Sequence, residues 1–257
     1  FKQKTAYEIR LSLVGSEMCI RDRFGDDAYL KEASAKIIGF SEESGVVLEK
    51  TIFYPTGGGQ PGDVGSLEIN GKSYSVQDTV KGDGGDIVLI LEHGFEDLNI
   101  GDTGVQILNW EVRYAHMKVH SALHLLSVVI PLPVTGGAVT AQKGRLDFNM
   151  PDAIENKDEL TDQLNQLIQG DYEITESWIS DEELQGNPGL VKTMSVKPPV
   201  GAGKVRLIRI GNDEKQIDLQ PCGGTHVKRT SEIGKMHLGK MQKKGQLNRR
   251  VNINFSD

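Results

Sequence analysis

Cysteine is scarce in this chain. Cys19 and Cys222 are the two cysteines among 257 residues, too few and too far apart for a disulfide framework, which excludes the small stapled secreted class and leads us to expect a cytoplasmic setting. No apolar run approaches the ~20 residues that a membrane-spanning helix needs, so no membrane partner is expected. The first residues lack the basic, apolar, small-residue progression of a secretory signal. The Gly-Lys-Ser/Thr ending of a phosphate-binding loop is missing, as is the spacing of a dinucleotide fingerprint. No Glu lies between His120 and His124, which excludes a His-Glu-x-x-His metalloprotease helix. No internal repeat stands out.

What is present is ordinary in bulk: 37% apolar and 25% charged residues, as in a globular protein with room for one large or two ordinary domains. Residues 1–23, Cys19 included, show no sustained period and read as a leader or remnant. From Lys31 onward, short strand-like runs separated by Gly and Asp turns, with Asn70-Gly71 as a hairpin turn, predict a small antiparallel β-barrel over 24–111. The last of those runs is Thr103–Trp110. Residues 112–257 alternate helical and strand-like patterns. They include an amphipathic helix over Asp152–Gln169 that would bury Leu160, Leu164, Leu167 and Ile168 and end at Gly170, so the chain as a whole is classed α+β.

Two runs carry the chemistry. His120-Ser-Ala-Leu-His124 has helical context, and residues i and i+4 share one helix face, so both imidazoles can meet one ion. Cys222-Gly-Gly-Thr-His226 has glycines that let the backbone turn tightly enough to aim thiolate and imidazole at one point. Three nitrogens and one sulfur are the donor set that Zn²⁺ takes in a tetrahedral site. His116, four residues before His120, is a further ligand or proton carrier on the same face, or a structural histidine. A third run, Phe53-Tyr-Pro-Thr-Gly-Gly-Gly-Gln-Pro-Gly-Asp63, offers the backbone amides of Gly57, Gly58 and Gly59 as a contact surface, flanked by Thr56 and Gln60. The net charge of −7 argues against a general polyanion binder, but it is unevenly spread. Acidic residues crowd 152–183, whereas Lys228 to Arg250 holds eight basic residues against Glu232, a segment able to meet phosphates.

These blocks, with Gly144-Arg-Leu-Asp-Phe and Asp218-Leu-Gln-Pro before Cys222, stand in an order and spacing that resembles the editing domain of alanyl-tRNA synthetases. The closer resemblance is to its free-standing AlaX-type relatives of medium length, and it covers about residues 24–250. The paired His and Cys-x-x-x-His motifs are similar to those of threonyl-tRNA synthetase editing domains, which are not expected to carry the Gly-Gly-Gly-Gln loop. The resemblance implies a barrel domain followed by an α+β zinc-binding editing domain like the second additional domain of the synthetases, with no aminoacylation domain before residue 24. It implies a deacylase that hydrolyses Ser-tRNA(Ala), with Gly-tRNA(Ala) as a second mischarged substrate, the partner being the tRNA(Ala) acceptor end.

Such a second site is needed because a pocket for alanine cannot strongly reject an analogue that merely adds a hydroxyl. On this reading His120, His124, Cys222 and His226 hold Zn²⁺, with His226 as fourth ligand or weaker neighbour. Zinc then either activates water or anchors the seryl amino group. Gln60 and the glycine amides position the ester carbonyl or terminal adenosine, and Thr56, Thr135 or Thr140 meets the serine hydroxyl. Arg113, Lys118, Lys228, Arg229, Lys243 and Lys244 are candidate tRNA contacts. The alternatives are a zinc-stabilised tRNA-binding module without hydrolytic activity, an editing fragment of an alanyl-tRNA synthetase, and a metal-dependent hydrolase of small esters or amides.

Overall fold

The computed structural model describes residues 23–41, 45–152, 156–192 and 203–256. But for Arg23, the leader expected over 1–23 lies outside the described residues. The chain divides into two units, one of residues 1–56 and 62–109, the other of residues 57–61 and 110–257. The glycine-rich turn therefore belongs with the second unit, although the sequence on either side of it belongs to the first.

In the first unit, β1 (Glu32–Ser41), β2 (Gly45–Leu48), β3 (Gly65–Ile69), β4 (Lys72–Lys81), β5 (Ile87–Leu91) and β6 (Thr103–Leu108) close into an antiparallel barrel in the order β1-β2-β5-β4-β3-β6. The inward positions are mostly apolar, Gln106 of β6 being a buried polar exception whose amide is hydrogen-bonded. Ala35, Ile37, Leu67, Ile69, Val76, Leu89 and Leu108 join one buried cluster, and each fully buried Leu or Ile contributes about 1.5–3 kcal/mol. Register shifts at Ile37/Gly39 and Val76/Asp78 bend the strands toward closure. The β3–β4 turn is Asn70-Gly71, both with positive φ (54° and 74°), as the two-residue hairpin loop requires. Trp110 does not extend β6 as the sequence suggested. It opens a helix, because the apolar alternation of the strand stops at Leu108 and a 3.6-residue apolar period begins.

The second unit is built around that helix, α1 (Trp110–Val129). Nine consecutive residues, Val119–Ser127, are buried, which marks a helix enclosed on all faces rather than a surface helix. Around it lie the sheet β12 (Met236–Leu238), β14 (Asn248–Phe255), β8 (Lys143–Asn149) and β7 (Val134–Val139), with β13 (Gln242–Lys243) paired to β14, and the sheet β11 (Gln216–Pro221), β10 (Lys204–Gly211) and β9 (Ile174–Ser180). The predicted amphipathic helix starts later than expected. It is α2 (Lys157–Gln169), because the Asn156 side chain caps it by accepting from the Glu159 N–H. Leu164 and Ile168 are buried, whereas Leu160 and Leu167 are half-buried. A short helix, α3 (Asp181–Gly186), follows β9 with a Ser180–Glu183 capping box.

Candidate metal centre

His120 and His124 lie one turn apart on α1, and Cys222 follows the last residue of β11. From Cys222 the chain turns back to His226, and one ligand atom from each of the four residues lies within 4.8 Å of the others. Cys222 Sγ is 3.5 Å from His120 Nε2 and 3.6 Å from His226 Nε2, and the latter is 3.2 Å from His124 Nε2. Three Nε2 atoms and one thiolate thus converge. In two of the three imidazoles the other ring nitrogen is occupied, so that Nε2 faces the centre. Asp218 Oδ2 accepts from His124 Nδ1–H at 2.9 Å, and Gln60 Oε1 accepts from His120 Nδ1–H at 2.9 Å. Such partners orient ligating histidines and raise their basicity. His226 differs: its Nδ1 is buried and has no hydrogen-bond partner among the described residues.

The loop between Cys222 and His226 is fixed by bonds at nearly every residue. The Cys222 N–H donates to the Arg206 carbonyl (3.1 Å), Arg206 Nη1 donates to the Gly224 carbonyl (2.7 Å), the Thr225 N–H donates to Gln60 Oε1 (3.1 Å), and the Val227 N–H donates to Ser121 Oγ (3.2 Å). Gly224 passes so close to His120 that a Cβ would lie 2.2 Å from its Cε1, so no other residue fits. The donor set and its orienting bonds fit a zinc ion.

Electrostatics without metal follow from this crowding. Burial would lower His124, but the hydrogen bonds and negative charge of Asp218 and Cys222 outweigh it and push it up to about 9. Burial would raise Asp218, but His124 and Lys192 hold it down at about 2. Lys192 Nζ donates to Asp218 Oδ1 at 2.5 Å and Gln220 Nε2 donates to Oδ2 at 2.7 Å. Burial would also raise the Cys222 thiol, yet the imidazoles of His120 and His226 hold it well below the usual thiol range. Burial depresses His226 to about 3, past the opposing pull of Cys222.

The glycine run forms a tight two-residue turn. Gly57 and Gln60 exchange backbone hydrogen bonds of 3.0 and 2.9 Å, with Gly58 and Gly59 at φ of +57° and +84°, where glycine alone is free of strain. The Gly57 N–H, offered by the sequence to a ligand, is spent inside this turn. Gln60 is 1% exposed, and both ends of its amide are engaged, Oε1 accepting from His120 Nδ1–H and the Thr225 N–H, and Nε2 donating to Thr225 Oγ1 at 2.9 Å. It therefore positions His120 and Thr225 rather than presenting a free amide.

The three candidate hydroxyls have other partners. Thr56 Oγ1, in the first unit, accepts from the Gly62 N–H, Thr135 donates to the Asp147 carbonyl, and Thr140 caps the β7–β8 turn by donating to the Lys143 carbonyl. His116 is buried and stands outside the ligand group. Arg113 is 1% exposed, which corrects its reading as a surface contact for phosphate. Lys118 lies over the Tyr114 ring, 4.5 Å from its centroid, and Arg229 pairs with Asp171 at 2.8 Å. Lys228, Lys243 and Lys244 are exposed.

Sequence reasoning missed Asp218, Gln220, Lys192, Arg206 and Ser121. The first two had a signal. Residues 218, 220 and 222 alternate along one strand leading to a ligand, so all three face the same way.

An alanyl-tRNA editing protein, AlaX-M, of Saccharolobus solfataricus is 33% identical over 233 residues, spanning 88% of this chain and 94% of that protein. The chain belongs to the alanyl-tRNA editing protein family. A second AlaX-M protein, of Methanosarcina mazei, is 31% identical over 90% of this chain and 94% of its own length. The AlaX-L protein of Pyrococcus horikoshii is 34% identical over 86% of this chain and 54% of its own length. Residues 205–252 match the family described as Threonyl and Alanyl tRNA synthetase second additional domain, and residues 27–112 match tRNA synthetases class II (A). The alanine–tRNA ligase of Pyrobaculum aerophilum is 32% identical over 87% of this chain, which spans 25% of that ligase. Among the described residues no helix is long and apolar enough to cross a membrane.

Proposed function

We propose that the chain is a cytoplasmic trans-editing deacylase that hydrolyses Ser-tRNA(Ala), and Gly-tRNA(Ala) with it, at a Zn²⁺ held by His120, His124, Cys222 and His226. The observation that carries this reading is the convergence of three Nε2 atoms and one thiolate in a member of a family named for alanyl-tRNA editing. Zinc would supply Lewis acidity beside the ester that joins the amino acid to the terminal ribose. Asp218 and Gln60 hold the proton-bearing Nδ1 atoms of His124 and His120, and so fix those two imidazoles. His226, whose Nδ1 has no such partner, is the ligand held least firmly.

Charge supports an RNA partner for the second unit. Residues 24–109 carry 15 acidic and 5 basic side chains, whereas residues 110–257 carry 18 and 19, so a polyanion is repelled far less by the part of the chain that holds the centre. The exposed Lys228, Lys243 and Lys244 are the phosphate contacts we favour.

The test is deacylation of Ser-tRNA(Ala) beside Ala-tRNA(Ala) by the zinc-loaded protein and by Cys222→Ala, with folding matched by circular dichroism. Loss of serine alone, abolished in the variant, supports editing. A folded, zinc-loaded wild type that hydrolyses neither leaves a zinc-stabilised tRNA-binding module as the better account.

A further inference from the structure

Trp178 stands out of β9 with 55% of its surface exposed. The strand register sets it opposite Arg206 on β10, and the Arg206 carbonyl accepts the Cys222 N–H. Directly opposed residues of an antiparallel pair project to the same face. On β11, Asp218 and Gln220 project toward His124, and Cys222 is next in that alternation. Trp178, Arg206 and Cys222 therefore form one row across three strands, on the face that carries the metal centre. With neighbouring strands about 4.8 Å apart, the backbone of Trp178 lies roughly 10 Å from that of Cys222. The middle of the row is already committed. The Arg206 guanidinium bonds the Gly224 carbonyl and Glu176, so it forms a fixed floor between indole and ligand. Lys204, exposed and two residues before Arg206 on the same strand, puts a positive charge diagonally beside the indole.

The surroundings of Trp178 limit what can cover it. Its neighbours on β9 include Thr175, Glu176, Ser177 and Ser180, and the first three are exposed, so among the described residues of this strand there is no broad apolar patch of the kind a protein partner buries at the core of an interface. One flat aromatic face beside one cation suits a single unpaired nucleobase and its phosphate. We propose that Trp178 is the stacking platform for the unpaired 3′-terminal base of an RNA whose aminoacyl ester lies at the metal centre, with Lys204 meeting the adjoining phosphate. This rests on the editing reading. The ester and the base sit on the same ribose, and the row spans from ligand to indole in two strand widths.

Two measurements test it on the zinc-loaded full chain: tryptophan fluorescence and filter binding with an uncharged RNA minihelix ending in CCA, against the same minihelix ending in CC. The CCA form should quench the wild type more than the CC form does, and this difference should vanish in Trp178→Ala, which keeps Trp110. CCA affinity should fall about 5- to 150-fold in Trp178→Ala, the range expected for stacking of one base, and be largely kept in Trp178→Phe. Zinc content should be unchanged, as it would not be if the residue only held the loop. Equal quenching by the two minihelices, or a Trp178→Ala variant that binds CCA as the wild type does, overturns the proposal. Deacylation by the wild type is scored separately, so failure of the platform and failure of the editing reading are told apart.

Discussion

Replacing Asp218 by Asn keeps the shape of a wholly buried side chain but removes its charge and forces an NH₂ group against a donor, either His124 Nδ1–H or Lys192 Nζ. Loss of such a partner typically weakens metal binding 10- to 100-fold, or about 1.4–2.8 kcal/mol. A second effect has the opposite sign. In the metal-free protein His124 is pushed up to about 9, with Asp218 foremost among the groups that raise it against burial, so at about pH 7 zinc must displace a proton at a cost on the order of 3 kcal/mol. In Asp218→Asn much of that proton competition disappears. At about pH 7 the two effects nearly cancel and the variant should bind zinc within a few-fold of the wild type. Above His124's folded value neither protein carries the proton, and at about pH 9.5 the full 10- to 100-fold deficit should emerge. Competition against a chromophoric chelator of known affinity at the two pH values measures the ratio. A deficit of the same size at both, or none at about pH 9.5, would refute the claim that Asp218 both orients His124 and holds its proton.

Among single ligand substitutions, His226→Ala should lose the least zinc and His120→Ala or His124→Ala more, read by metal content after dialysis against a weak chelator. Gly59→Ala places a Cβ 2.6 Å from the Gly137 carbonyl at a φ of +84°. It should cost about 1–3 kcal/mol, seen as a lower melting temperature, together with weaker zinc binding because Gln60 shifts. Asp147 accepts from Arg250 at 2.8 and 2.9 Å and from Arg145 at 2.7 Å, and these outweigh burial to hold its carboxyl below the usual range. Because its folded pKa lies below the unfolded value of about 3.9, its contribution is present above about pH 4 and is lost as pH falls further. Thermal melts should show Asp147→Asn destabilised near neutrality and the gap to wild type closing as the solution is acidified below about pH 4.

The two pairs, His120 with His124 and Cys222 with His226, were legible because a four-residue spacing sets which helix or turn positions lie side by side; their meeting in one cluster joins positions about a hundred residues apart. The barrel was legible for a similar reason: its strands are half-buried, so apolar and polar residues alternate, and Asn70-Gly71 has the chemistry that its turn demands. The helix start at Lys157 was not, since residues before Asn156 continue the polar composition and only the cap distinguishes them. β11 escaped notice because its inward residues are Asp218 and Gln220, polar groups buried for the sake of His124, which erases the apolar alternation that announces a strand. Lys192 and Gln60 reach the centre from 26 and 60 residues away in sequence, respectively, from Asp218 and His120. Nothing local records such a contact.

The five residues 57–61 group with the second unit although both flanking stretches belong to the first. A scissor cut between Asn109 and Trp110 would therefore not yield two self-sufficient halves. The released C-terminal piece would keep all four ligands and lose Gln60, leaving the His120 Nδ1–H and the Thr225 N–H and hydroxyl without the partner they share. Any shortened form of this chain that keeps the His120, His124, Cys222 and His226 cluster without residues 57–61 therefore loses the amide that holds His120 and Thr225 in place.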